Sequence, residues 1–326
     1  MGAEVGAGGG ADAVGIARAD ARGGSGDHDR GDAPVVSRGI LYPAESAPVV
    51  RLERYRPSAD LGAFVRHYWI PRWNLAPGET HEELLLQYAT CNLVVSDDYS
   101  ALFGLARGVG SRTLEGTGWA FGVMLQPGTA RTLLDAQPAP ESGRTVASLS
   151  DAPEPLETLA TGGGELGARI RSLHHDDTGM IAAFEQWLRG LRLDAGRGAV
   201  INEVVHAVET DPELRTVDEL AARFGLGVRT LQRLTAEFVG MNPKWLLQRQ
   251  RLQDAAARLR DDPAAGAGAG TAATLADLAA ELGYADQAHF SRDFARAVGL
   301  APGEYSRRTQ VESGRNVPQL RSEGVS

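Results

Sequence analysis

One cysteine, Cys91, stands in 326 residues, so no disulfide can close within the chain. A reducing, cytoplasmic setting fits that scarcity. Lysine is equally rare: of 33 basic residues only Lys244 is one, a bias that, with abundant Ala and 40 Gly, reads as a GC-rich coding sequence. No run approaches the ~18 apolar residues that a membrane span requires, so no membrane partner is expected. Excess positive charge is missing too. The formal charge is −9, and no global field draws the chain toward nucleic acid. The opening "MGAEVGAGGGADAVGIARADARGGSGDHDRGDAP" has neither the apolar core of a signal peptide nor a preceding strand that would make its glycines a phosphate loop. Nucleophile elbow, Walker loop, dinucleotide fingerprint and zinc-finger spacing are all absent, so no enzyme activity and no cofactor are expected.

What is present changes along the chain. Residues 1–48 lack the composition for a core and are expected to be disordered. Short apolar runs follow, among them "FVRHYWIPRWNL", "EELLLQYATCNLVVSDDYSALFGLA" and "GWAFGVMLQPG", punctuated by Gly, Pro, Asn and Asp. Such texture predicts a compact β-rich domain over 49–165. Apolar residues at three-to-four spacing then predict a helical connector over 166–210, in which "MIAAFEQWLRGL" offers a face suited to a dimer contact. Residues 211–310 form an all-helical domain, and 311–326 a disordered tail. The fold class expected is thus α+β.

The C-terminal part holds an internal repeat. "TVDELAARFG" at 216–225 returns as "TLADLAAELG" 58 residues later, and "LQRLTAEFVGMNP" from 231 returns as "FSRDFARAVGLAP" 59 residues later. Each copy has the marks of helix, tight turn and second helix. Thr216 with Glu219, and Thr274 with Asp277, have capping-box spacing. Gly225 and Gly283 stand where the turn favours positive φ. Val228, Leu231, Leu234 and Phe238 make the core stripe of the first copy; Phe290, Phe294 and Val298 make that of the second. Asn242 and Pro243 open a strong linker helix between the copies. The repeat and its linker read as self-contained.

Opposite the first stripe lie Arg229, Gln232, Arg233 and Ala236. Opposite the second lie Gln287, Ala288, His289, Arg292 and Arg296, with Asp286 as N-cap. Arg pairs bidentately with guanine, Gln with adenine, and small apolar groups touch the thymine methyl. Two such helices held apart on one monomer can enter successive major-groove faces, which lie about 34 Å apart. From Thr216 to Arg308 there are 12 basic and 11 acidic side chains, so phosphate contacts should be few and local. Arg292, Arg296, Arg307 and Arg308, with Arg249 and Arg251, are the expected patch.

"RTLQRL…GMNPKWLLQRQRL" and "LAAELGYADQAHFSRDFARAVGLAPGEY" resemble the DNA-binding domain of the AraC/XylS family of bacterial transcription regulators, from about residue 216 to 308. That resemblance implies two helix-turn-helix subdomains joined by a linker helix. It also implies base readers at Arg229, Gln232, Arg233, Gln287, Ala288, His289 and Arg292, with Arg296 beside them. The partners it implies are promoter DNA and RNA polymerase, with activation the commoner mode and a small-molecule effector or a homodimer as further partners. Gly227 and Thr235 depart from the Ser and Phe common in the family, which points to a looser first subdomain. The N-terminal stretch "RYRPSADLGAFVRHYWIPRW" with "GVMLQPG" resembles the cupin-like small-barrel sensor domains of such regulators.

The competing class is a small-molecule-binding or catalytic cupin-like barrel with an appended DNA-binding module. His67, His81, Glu82 and Glu83 are the nearby candidates for a metal, but they lack a close His-x-His set with a later His partner, so no metal site is expected. Trp69 and Trp73 suit core packing better than ligand stacking, and Cys91 alternates as a buried strand residue, with redox sensing as the other reading.

Overall fold

The computed structural model describes residues 50–106, 110–136, 143–261 and 274–315. The expectations for 1–48 and for residues beyond 315 lie outside the described residues. Eight strands are described: β1 (Val50–Tyr55), β2 (Val65–Asn74), β3 (Thr80–Leu85), β4 (Asn92–Ser96), β5 (Ser100–Phe103), β6 (Gly110–Glu115), β7 (Thr117–Leu125) and β8 (Glu154–Pro155). Six pair in the order β1-β2-β7-β4-β5-β8, and β3 pairs with β6 in a separate ribbon. The α+β class holds, but hydrogen bonding does not close a ring among the described strands. The barrel expected from the sequence is instead an open sheet with a ribbon beside it.

The two tryptophans find a structural use. Trp69 and Trp73 on β2 stand opposite Gly122 and Gly118 of β7. A Cβ at Gly122 would fall 1.9 Å from the Trp69 ring, and one at Gly118 2.3 Å from the Trp73 ring. The glycines leave the room in which the indoles lie across the sheet. Their ring nitrogens are also used, Trp69 donating to Asn92 Oδ1 at 3.1 Å and Trp73 to the Glu115 carbonyl at 3.2 Å.

Eleven helices are described: α1 (Thr129–Asp135), α2 (Leu156–Leu159), α3 (Gly163–Ser172), α4 (Asp177–Gly190), α5 (Gly196–Thr210), α6 (Val217–Arg223), α7 (Val228–Phe238), α8 (Pro243–Asp261), α9 (Leu275–Glu281), α10 (Gln287–Val298) and α11 (Pro302–Arg315). The stretch expected as one connector divides between two cores. α3 and α4 cover the sheet, with Ile170, Met180, Ile181, Phe184 and Leu188 buried against Tyr68, Phe121 and Val123. That packing uses the apolar face of α4, so the dimer contact expected there has no apolar face left. α5 instead joins the first helix-turn-helix, burying Ile201, Val204, Val205 and Val208 beside Leu220, Leu231 and Leu234.

Neither repeat core is self-contained. Leu86, which follows β3, is fully buried in the second copy's cluster with Phe290, Phe294 and Tyr305. Ala89 and Leu105 enter the first copy's cluster. The N-terminal domain thus touches both copies. Gly128 meets the Gly198 backbone of α5 so closely that a Cβ there would lie 2.5 Å away, and Arg66 of β2 pairs with Glu209 of α5 at 2.8 Å.

Candidate nucleic-acid interface

The two helix-turn-helix units are built as their sequences dictate. Thr216 and Thr274 each accept from the backbone N–H three residues on, while Glu219 and Asp277 reach back to the cap residue's own N–H. These bonds hold both carboxyls below the usual carboxylate range, the backbone N–H groups being the largest cause. Gly225 (φ 62°) and Gly283 (φ 76°) end α6 and α9 in the left-handed region, where a side chain would be strained. Asn242 caps α8 by accepting from the Trp245 N–H at 2.8 Å.

The second helices expose the faces expected of them. On α7, Leu231, Leu234 and Phe238 are buried and Val228 is half-buried, while Arg229, Gln232, Arg233 and Ala236 are exposed. On α10, Phe290, Phe294 and Val298 are buried, and Gln287, Ala288, His289, Arg292 and Arg296 are exposed. Among the described residues, Arg229 and Arg233 have no carboxylate partner. Arg292 rests its Nε on the Ala288 carbonyl at 3.2 Å, one turn back, leaving its terminal nitrogens to other acceptors.

One residue that holds the outer face in place escaped the sequence reading. Asp293 lies on α10 between the exposed Arg292 and the core Phe294, yet it is buried. Its carboxylate accepts from Gln248 of α8, and it pairs with His289 Nε2 at 3.3 Å and Arg296 at 3.2 Å. It therefore fixes two side chains of the outer face and ties α10 to the linker helix. The signal was available: an acid four residues after a histidine and three before an arginine sits within helical reach of both.

Arg249 requires correction. It was expected in the exposed basic patch, but it is buried on α8, over the Trp245 ring at 4.9 Å. Arg251 is half-buried and donates to the Arg215 carbonyl. Arg307 and Arg308 on α11 are exposed.

The other candidates do not converge. His67 on β2 and His81 on β3 belong to different sheets. Burial, with the positive charges of Arg54 and Arg66, lowers the His67 pKa to about 4. Cys91 is enclosed and its thiol is pushed up to about 12 by burial; a thiol so rarely ionised is a poor nucleophile, which weighs against redox sensing. Among the described residues no group of three metal-binding side chains is gathered, and no helix is long and apolar enough to cross a membrane.

Residues 220–308 match the family model of a helix-turn-helix domain, and residues 53–146 match a domain of unknown function (DUF6597). The HTH-type transcriptional activator RhaS of Pectobacterium carotovorum is 36% identical over 85 residues, a span of 26% of this chain and 26% of that protein. The C-terminal domain of AraT, a response regulator from Geobacillus stearothermophilus, covers 33% of this chain and 84% of its own at 21% identity, with a TM-score of 0.28. ToxT of Vibrio cholerae O395 covers 80% of this chain and 98% of its own at 13% identity and TM-score 0.31. Likenesses of that size to solved structures add nothing to the assignment. The capped repeat, its exposed second helices and the family match agree: the C-terminal domain belongs to the AraC/XylS-type helix-turn-helix, DNA-binding family.

Proposed function

We propose that the chain is a sequence-specific, effector-responsive transcription regulator that reads two successive major-groove segments of promoter DNA with α7 and α10. One observation carries the reading: the helix of each copy that is anchored by a buried apolar stripe turns a set of Arg, Gln and His side chains outward, at Arg229, Gln232 and Arg233 and at Gln287, His289, Arg292 and Arg296. Such groups pair with base edges, and a rigid pair of helices imposes a spacing on the operator. Ala288 adds a methyl surface suited to thymine. The name of the RhaS relative supports activation as the mode; the partner proposed is RNA polymerase, in the cytoplasm and without enzyme chemistry. The sheet domain, in contact with both copies, is the part suited to report an effector.

Selection of duplexes from a random library by the full chain tests this. The expected result is an enriched pair of short elements with centres about 10 bp apart, one turn of the double helix. Failure to enrich any sequence over the starting library would overturn it.

A further inference from the structure

Among the outward side chains of α10, His289 is exposed yet held at two points. Tyr284, in the turn before the helix, stands edge-on to its ring with 5.3 Å between centroids. Its Nε2 lies 3.3 Å from Asp293 Oδ2, one helical turn on. Asp293 is buried, and every partner offers it a proton: Gln248 Nε2 of α8 donates to the same Oδ2, and Arg296 Nη1 donates to Oδ1 at 3.2 Å. The Arg296 cation already balances this carboxylate, so the pairing does not require a charged imidazole.

A neutral imidazole carries one ring proton, and the nitrogen that faces an acceptor keeps it. Nε2–H therefore faces Asp293, and Nδ1 is left with a lone pair. Among the described residues nothing hydrogen-bonds to Nδ1. In the major groove the donors are amino groups, N6 of adenine and N4 of cytosine, whereas guanine and thymine offer acceptors. We infer that Asp293 determines base specificity without touching DNA: it fixes the proton of His289 on Nε2, so that Nδ1 accepts from the exocyclic amino group of an adenine or a cytosine. Arg292 can only donate and suits guanine; an acceptor at His289 gives α10 the complementary sense. The base contact rests on the DNA-reading function proposed above; the tautomer does not.

The tautomer is read first, by nitrogen-resolved magnetic resonance of the histidine rings in the full chain without DNA. At about pH 8.5, where histidine is ordinarily neutral, the His289 proton should sit on Nε2, with His289→Ala identifying the signal. A proton on Nδ1 would overturn the proposal. The base contact is read on the selected operator. His289→Ala should weaken binding by about threefold to tenfold, the worth of one hydrogen bond, and lose base preference at one position. An analogue there without the major-groove amino group, 2-aminopurine for adenine or 2-pyrimidinone for cytosine, should weaken wild-type binding by the same factor and His289→Ala binding not at all. A 7-deaza purine in the same base pair removes only N7 and should leave wild-type binding nearly unchanged. Sensitivity to N7 and not to the amino group would contradict the proposal. So would an equal loss from the amino analogue in His289→Ala, or an operator in which no position responds to His289→Ala. Asp293→Asn can turn a donor toward Nε2, which lets the ring proton move to Nδ1. That variant should lose the response to the amino analogue while preferences elsewhere remain; uniform weakening at every position would make Asp293 purely structural and sink its role. Should Asp293→Asn fail to fold, the wild-type tautomer and the analogue comparison decide. Failure to select any operator would remove the DNA-reading function and the base contact with it, whereas a proton on Nδ1 in the free chain removes the tautomer alone.

Discussion

The two helix-turn-helix copies share one sequence plan and are held together by different means. α10 begins at Asp286, whose carboxylate accepts from the His289 N–H at 2.7 Å; α7 begins at Gly227, with no side-chain cap. Position 294 is a phenylalanine whose ring lies 5.6 Å from both Phe290 and Tyr305. Its counterpart Thr235 is also fully buried, but it turns its hydroxyl back onto the Gln232 carbonyl at 3.1 Å. The second copy carries an aromatic cluster of its own and takes one side chain, Leu86, from the N-terminal domain. The first draws apolar surface from elsewhere, from α5 and from Ala89 and Leu105 of the N-terminal domain. The subdomain that takes more of its core from outside is the one whose stability the outside parts govern most.

The largest effect should come from removing the outside support. A fragment of residues 205–312 lacks Ala89, Leu105, Ile201 and Val204 of the first core, against Leu86 alone of the second, and it cuts α5 in the middle. The repeat's self-contained look in sequence suggested that such a fragment would fold. The structure gives the opposite expectation: losing several buried side chains should cost the first copy more than about 5 kcal/mol. Amide exchange should show fast exchange throughout α6 and α7, with protection surviving in α10. Equal protection in both copies would erase the contrast.

Next in size is Phe290→Ala in the full chain. Removal of this enclosed aromatic should cost about 3–5 kcal/mol. Melting curves should register the loss, with operator binding falling only as the domain unfolds.

The caps sharpen the comparison on a smaller scale. Asp286→Ala should destabilise the second copy by about 0.5–2 kcal/mol, whereas Gly227→Ser should stabilise the first by a few tenths, since glycine is itself a tolerable cap. Chemical denaturation of each variant measures both. A stability loss on Gly227→Ser would show that the open cap is required by packing.

Acid should act on the two copies alike and least of all. Glu219 and Asp277 have folded pKa values below their ordinary ones. Their contribution is complete above the unfolded pKa, near 4, and is lost as pH falls through the folded value. Both carboxylates are exposed, so the effect is small. Glu219→Gln and Asp277→Asn should flatten the stability-versus-pH curve below about pH 4.5.

What the sequence revealed follows from the range of the interactions involved. Capping boxes, the glycine turns and the buried stripes of α7 and α10 are set within four residues, and periodicity reports them. Leu86 in the second copy's core, Gln253 on the Gln87 carbonyl and the glycines under Trp69 and Trp73 join residues far apart in the chain, which no local pattern records. Arg249 falls between these cases. It follows Leu246 by three and precedes Gln253 by four, inside the buried stripe of α8, but its charge argued for the surface. The outward faces of α7 and α10 were legible because exposure there is the complement of a strong stripe. Asp293 was not, because it sits at the stripe's edge and is covered by Gln248 from another helix.

The central claim is that the outer faces of both helices read base edges, and the matched pair Arg233 and Arg292 tests it most directly. Arg233→Ala and Arg292→Ala would each be titrated against the selected operator and against scrambled DNA at fixed salt, with melting curves alongside. Each should weaken operator binding by about 1–3 kcal/mol, the worth of one bidentate contact, and leave scrambled-DNA binding and melting temperature nearly unchanged. Equal losses on both DNAs would make these phosphate contacts, and no loss on either would remove the two faces from the interface and contradict the account.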